Sequence, residues 1–138
     1  FTGEMFSFAG QFLPWKKAPH AKLMRKQAWT VTKLAIQWRY LGYKLAMRAK
    51  KNADNVGAAS VDFLMFSGYA YMAFMFAQMS AVAHKQLQAG EGDKVFLQNK
   101  LHTAEFFFER ILPRVKTHAK TMGASIDSVM GMPTGYFE

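Results

Sequence analysis

Cysteine is missing from this 138-residue sequence. A disulfide framework and thiolate chemistry are therefore excluded. The absence fits a reducing compartment, and a cytoplasmic location is expected. Acid is also missing over a long stretch, with neither Asp nor Glu between Met5 and Ala53. Catalytic signatures are missing too. GEGD (residues 90–93) reads as a turn rather than a phosphate cradle, and no glycine-rich loop follows a strand pattern. Ser60, Ser67, Ser80 and Ser125 lack a GxSxG elbow. His20, His84, His102 and His118 form no His-x-x-x-His or Glu-x-x-His pair. A two-metal bundle needs carboxylates converging from several helices, and the first two long helices offer only Asp62. On these grounds no catalytic, cofactor-binding or metal-binding residue is assigned.

Apolar helical sequence is what the chain has in quantity. From Val61 to Ala83 it reads VDFLMFSGYAYMAFMFAQMSAVA, uncharged from Phe63 onward and uninterrupted by proline. At helical rise this is a rod of about 31 Å. A helix apolar nearly all round is either wrapped by other helices or placed in lipid. The run is long enough to span a bilayer, but Gly68, Ser67, Ser80, Tyr69, Tyr71 and Gln78 insert poorly. The amphipathic segments on either side could each cover one face, so a rod buried in a water-soluble bundle is expected. Ten Met and thirteen Phe point to an adaptable interior.

The expected fold is all-α, an antiparallel up-and-down bundle of three long helices in one domain, residues 1–138. Residues 1–19 form a short N-terminal segment packed on it, too apolar for a linker and punctuated by Pro14 and Pro19. The first helix is expected over 20–51, with Leu23, Val31, Leu34, Trp38, Leu41 and Leu45 on one face and Lys22, Lys26, Lys33, Lys44, Arg48 and Lys51 on another. Gly42 falls on its apolar side, where a missing side chain could seat a bulky partner. NADNVGAAS (52–60) is a break, with Asp54, Asn55 and Ser60 as alternative caps. The second helix follows over 60–88, with a stripe of Phe66, Ala70, Ala73, Ala77 and Ala81. Gly90 suits a helix C-terminus, and Asp93 suits the N-cap of a third helix over 94–130. Pro113 should kink that helix near Glu109–Pro113, and Gly123 should soften its end. The opening at Phe1, with no initiator Met or leader pattern, suggests a piece of a longer chain.

Eleven Lys and Arg crowd the acid-free stretch: Lys16, Lys17, Lys22, Arg25, Lys26, Lys33, Arg39, Lys44, Arg48, Lys50 and Lys51. So one-sided a field suits nucleic acid, an anionic membrane surface or an acidic partner, or is simply a solvated face. Trp38 lies on the apolar side. Trp29, Tyr40 and Tyr43 lie toward the basic side and are the candidates for base stacking. His102 with Glu105, Glu105 with Glu109, and Arg110 with Arg114 are helix-spaced pairs without a convergent partner.

From residue 52 onward the sequence resembles the C-terminal domain of large acyl-CoA dehydrogenases. The break matches a pattern of the form NxDNxGAxSxDYL. A K-x-x-x-A-x-F-F-x-E-R-x-L-P motif is met by Lys100, Ala104, Phe106, Phe107, Glu109, Arg110, Leu112 and Pro113, and the tail from Met130 to Pro133 is similar too. Residues 1–51 resemble the family less. The resemblance implies a parent flavoprotein of fatty acid metabolism, an oxidoreductase using FAD to remove hydrogens from Cα and Cβ of an acyl-CoA thioester. Its base, FAD contacts and acyl-CoA pocket would lie in upstream domains. The present chain would be a non-catalytic helical domain that binds no cofactor or metal itself, packs on the catalytic body and supports a homo-oligomeric assembly. The alternative is a basic helical module for nucleic acid or an anionic membrane surface.

Overall fold

The computed structural model describes residues 1–12, 21–133 and 135. Its regular elements are all helical, with no strand among the described residues. They are α1 (Thr2–Gly10), α2 (Ala21–Ala49), α3 (Asp54–Ala89), α4 (Lys94–Phe106), α5 (Val115–Thr121) and α6 (Asp127–Met130). The described part of the N-terminal segment is thus a defined helix over residues 2–10. Its Met5, Phe8 and Ala9 are buried, and Phe8 meets Phe74 of α3 edge-on with ring centroids 5.8 Å apart. Pro14, Trp15, Pro19 and His20 lie outside the described residues.

α3 is the longest element, at 36 residues. Phe66, Ala70, Ala73 and Ala77 along one side are fully enclosed, because small side chains let neighbouring helices approach closely while Phe66 fills the gap between them. Full burial of a Phe of this kind contributes roughly 2–3 kcal/mol. Along the α2–α3 contact the residue numbers run in opposite senses. The indole of Trp38 donates to Ser67 Oγ at 2.8 Å, Gly42 faces Phe63, and the Asn55 amide reaches the Arg48 carbonyl at 3.5 Å. The same reversal marks the other side, where Phe76 stacks on Phe107 at 4.5 Å and Asp62 pairs with His118.

The second helix begins six residues earlier than the sequence suggests. Asp54, Asn55 and Ser60 do not cap it. Asn52 Oδ1 accepts from the Asp54 amide at 2.9 Å, so the turn closes on a residue ahead of the expected candidates. Asn55 instead turns back and donates to the Asn52 carbonyl at 2.9 Å, pairing a backbone oxygen just beyond the end of α2. Gly90 behaves as expected. It adopts φ +70°, and the Glu91 and Gly90 amides bond the Gln86 and Leu87 carbonyls at 3.0 and 3.4 Å, which closes α3. Asp93 caps α4 as expected, accepting from Val95 and Phe96 at 2.8 and 3.1 Å.

The single third helix over 94–130 does not form. After α4 the backbone widens into a π-turn over Phe107–Ile111, tightens into a 3₁₀ turn over Leu112–Arg114, and resumes as α5. Pro113 has no N–H for the Glu109 carbonyl and its ring would strike that oxygen, so the register must change just before it. The expected break at Glu109–Pro113 is therefore present as a change of helix type. α5 then stops at Thr121, and α6 is a separate four-residue turn.

The expectation that flanking helices hide α3 fails on one side. Val61, Leu64, Met65, Tyr71, Met72, Met75 and Val82 are all exposed, from 40% at Met72 to 71% at Leu64. α1, α2 and the α4–α5 arm pack on the Ala-rich side and leave this row open, because close approach is available only there. α3 is also the one helix among the described residues long and apolar enough to cross a membrane, with a mean hydropathy of 1.2 in its best window.

Candidate functional site

Among the described residues, no three His, Asp or Glu side chains gather where they could hold a metal ion. The titratable pairs singled out by spacing are exposed. His102 Nδ1 and Glu105 Oε2 lie 3.9 Å apart in solvent, and Glu109, Arg110 and Arg114 are exposed. Glu105 and Glu109 share the rim of a small hollow with Lys26 and Gln27.

One polar constellation was not visible in the sequence. His118 on α5 and Asp62 on α3 meet at 2.8 Å, each about a quarter exposed, and Tyr69 stacks on the imidazole at 5.7 Å. The His118 hydrogen bond draws the Asp62 carboxyl below its ordinary value; partial burial opposes this, and Thr121 and the His118 charge add to it. A His–Asp pair resembles two thirds of a hydrolytic triad. The serines identified from sequence do not complete it. Ser67 is bonded to Trp38 and to the Phe63 carbonyl, Ser60 to the Gly57 carbonyl, and Ser125 to Asp127. Ser80 is fully buried with no partner among the described residues. The pair fastens α5 to α3.

Arg48 performs a second fastening. Its guanidinium donates to the Met122 carbonyl at 2.8 Å and the Ala124 carbonyl at 2.7 Å, just past the end of α5. The sequence placed Arg48 on the basic face of the first helix, and nothing in its periodicity reveals a bond spanning more than seventy residues.

Two surfaces remain, and they differ in chemistry. The first is the open apolar row of α3. The second is the outer face of α2, where Lys22, Arg25, Lys26, Lys33, Arg39 and Lys44 are exposed together with Trp29, Tyr40 and Tyr43. Lys33 Nζ sits 5.3 Å from the Trp29 ring centroid, and Lys44 Nζ sits 5.5 Å from that of Tyr40. Trp38, by contrast, packs inward on Phe63, as its period predicts.

The polar positions that carried the family resemblance prove to be joints. Asn52 and Asn55 knit the α2–α3 turn, Asp62 holds His118, and Pro113 sets the break after α4. Ala104, Phe107 and Leu112 of the same motif are buried. A family model for the acetyl-CoA dehydrogenase C-terminal-like domain matches residues 1–133. The chain belongs to this family. Its match extends the resemblance seen from residue 52 back to residue 1, so α1 and the basic α2 fall within the matched region. No curated protein shows a significant match to the chain.

A dehydrogenase of this kind implies FAD, and two features of this domain that could hold a phosphate are otherwise employed. The positive-φ glycines Gly90 and Gly92 turn the chain between α3 and α4. The amides at the start of α4 are already taken by the Asp93 carboxylate, whose charge would repel a pyrophosphate.

Proposed function

We propose that this chain is a non-catalytic docking domain of an FAD-dependent acyl-CoA dehydrogenase, packed on the catalytic body through the open face of α3. The observation that carries the reading is that face. An uncharged row running from Val61 to Val82 is larger than isolated surface apolar residues require and is the kind of patch that marks an interaction site. The occupant we assign to it is the dehydrogenase body, a reading supported by membership of the family. We read α2, α3 and the α4–α5 arm as an up-and-down bundle whose inner helix doubles as the docking strip. On this reading the flavin, the base and the acyl-CoA pocket belong to the body. The enzyme would act in fatty acid metabolism in the cytoplasm, and the domain would support a homo-oligomeric assembly.

The test joins the chain to a flavin-binding dehydrogenase body and follows flavin reduction on adding acyl-CoA. The joined protein should reduce its flavin and the isolated chain should not. Leu64→Lys with Met75→Lys should loosen the domain from the body and lower the melting temperature of the assembly while sparing the isolated chain. Oxidation of acyl-CoA by the isolated chain would overturn the non-catalytic assignment.

A second reading rests on the cation–aromatic face of α2, which suits a polyanion such as nucleic acid or an anionic membrane surface. Such binding should weaken steeply with salt and vanish when Lys22, Lys26 and Lys33 are neutralised. Affinity insensitive to salt would exclude it.

A further inference from the structure

α2 carries two apolar stripes, and a helix at the surface of a bundle needs only one. The first includes Val31, Leu34 and Ala35, which are buried in the core. The second lies on the opposite side, where Ile36, Tyr40, Tyr43 and Met47 are exposed at 54%, 57%, 66% and 42%. Their spacing is four, three and four residues. That alternation is the seam of a coiled coil, with Tyr40 and Met47 at a and Ile36 and Tyr43 at d. The row is about 17 Å long at helical rise. The positions that flank such a seam set the choice of partner. Here they carry cations, with Arg39 at g and Lys44 at e, and both are exposed. Lys33 stands at the preceding a position. α2 contains no Asp or Glu, and among the described residues none of these three cations is paired with a carboxylate.

We propose that this outer seam of α2 binds an acidic amphipathic helix of a partner protein. The partner's apolar edge lies on Ile36, Tyr40, Tyr43 and Met47, and its carboxylates lie beside Arg39, Lys44 and Lys33. A second copy of this chain would set Arg39 and Lys44 against cations of the same sign, which is repulsive. A nucleic acid could stack on Tyr40 and Tyr43 but would leave Ile36 and Met47 facing phosphate or water. A helix lying on a membrane turns its wide apolar face to lipid, and the wide face of α2 is committed to the core. An acidic helix answers both the apolar row and the charge beside it. None of the seam residues belongs to the open row of α3, so the proposal does not depend on docking to a dehydrogenase body.

The test titrates the 138-residue chain into a fluorescein-labelled synthetic peptide and follows its anisotropy. The peptide has about three heptads, with Leu at a and d and Glu at e and g. One saturable site in the micromolar range is expected. The same peptide with Lys at e and g should bind at least about tenfold more weakly. Ile36→Gln with Tyr43→Gln should lower affinity for the Glu peptide by at least about tenfold. Both side chains face solvent, so the melting temperature should hold. Arg39→Glu with Lys44→Glu should reverse the preference toward the Lys peptide, a gain that loss of folding cannot produce. The proposal is overturned if the Glu peptide does not saturate, if the two peptides bind alike, if a folded Ile36→Gln, Tyr43→Gln chain binds like the wild type, or if the charge-swapped chain keeps its preference. It is also overturned if the chain self-associates and the Gln variant abolishes this, or if oligothymidylate or phosphatidylserine vesicles bind more tightly than the Glu peptide.

Discussion

Removing the Arg48 guanidinium should detach the far end of the α4–α5 arm from α2. The two hydrogen bonds, at 2.8 and 2.7 Å, join a cation to carbonyls just beyond the end of α5. Hydrogen bonds from charged groups contribute about 1.5–3 kcal/mol when well buried. Here one bond is partly buried and the other exposed, so about 1 kcal/mol each is the better figure. Arg48→Met keeps much of the alkyl stem and removes the fork, so it should cost about 2 kcal/mol. Arg48→Lys keeps the charge but loses the two-pronged geometry, so it should recover about half of that loss. Urea unfolding measures both values, and the melting temperature of Arg48→Met should fall by roughly 6–10 °C. Hydrogen exchange adds a local reading, with faster exchange expected at the amides from Met122 to Met130. A loss under about 0.5 kcal/mol in Arg48→Met, with unchanged exchange there, would refute a fastening role.

Three further outcomes follow from the packing. Gly42→Ala should stabilise the chain by about 0.5–1 kcal/mol in urea unfolding. The new Cβ would meet the Phe63 ring at an ordinary 3.7 Å and remove a helix penalty; a loss of stability would mean that Phe63 cannot accept the methyl. Ser80→Ala should be neutral or stabilising by about 1 kcal/mol, because the hydroxyl is fully enclosed without a partner among the described residues; destabilisation by that amount would reveal a bonded hydroxyl. Asp62 has a carboxyl drawn below its ordinary value of 3.8, so its stabilising contribution is complete above that pH and is lost as pH falls through the lower folded-state value. The stability difference between wild type and Asp62→Asn should therefore be level near neutrality and shrink below about pH 3.8; a difference that grows on acidification would reverse the assigned sign.

The helices were legible where a single periodicity governs. Val31, Leu34 and the inward Trp38 of α2 follow from apolar spacing, and Gly90 and Asp93 follow from local turn chemistry. The start of α3 was less legible because Asn52, Asp54, Asn55 and Ser60 are all plausible caps, and the choice depends on where the end of α2 presents its carbonyls. Pro113 announced a break, but not whether a widened turn or a bend would absorb it. The Asp62–His118 and Arg48–Met122 joints were invisible because each links residues far apart in the chain. The open face of α3 was misread for a related reason. An all-apolar helix shows no preferred side, so the side left bare depends on which stripe its neighbours choose. Ala70, Ala73 and Ala77 made that choice by allowing close approach.

The docking role of α3 is tested most directly by methionine oxidation, which is governed by solvent access. Met65, Met72 and Met75 lie on the open face at 41%, 40% and 46% exposure, and Met47 on α2 is exposed to a similar degree at 42%. Dilute peroxide followed by peptide mass analysis gives each oxidation rate, in the isolated chain and in the chain joined to the dehydrogenase body. If α3 docks, Met65, Met72 and Met75 slow together by about tenfold or more in the joined protein while Met47 keeps its rate. Equal rates for all four methionines in both proteins would contradict docking through this face.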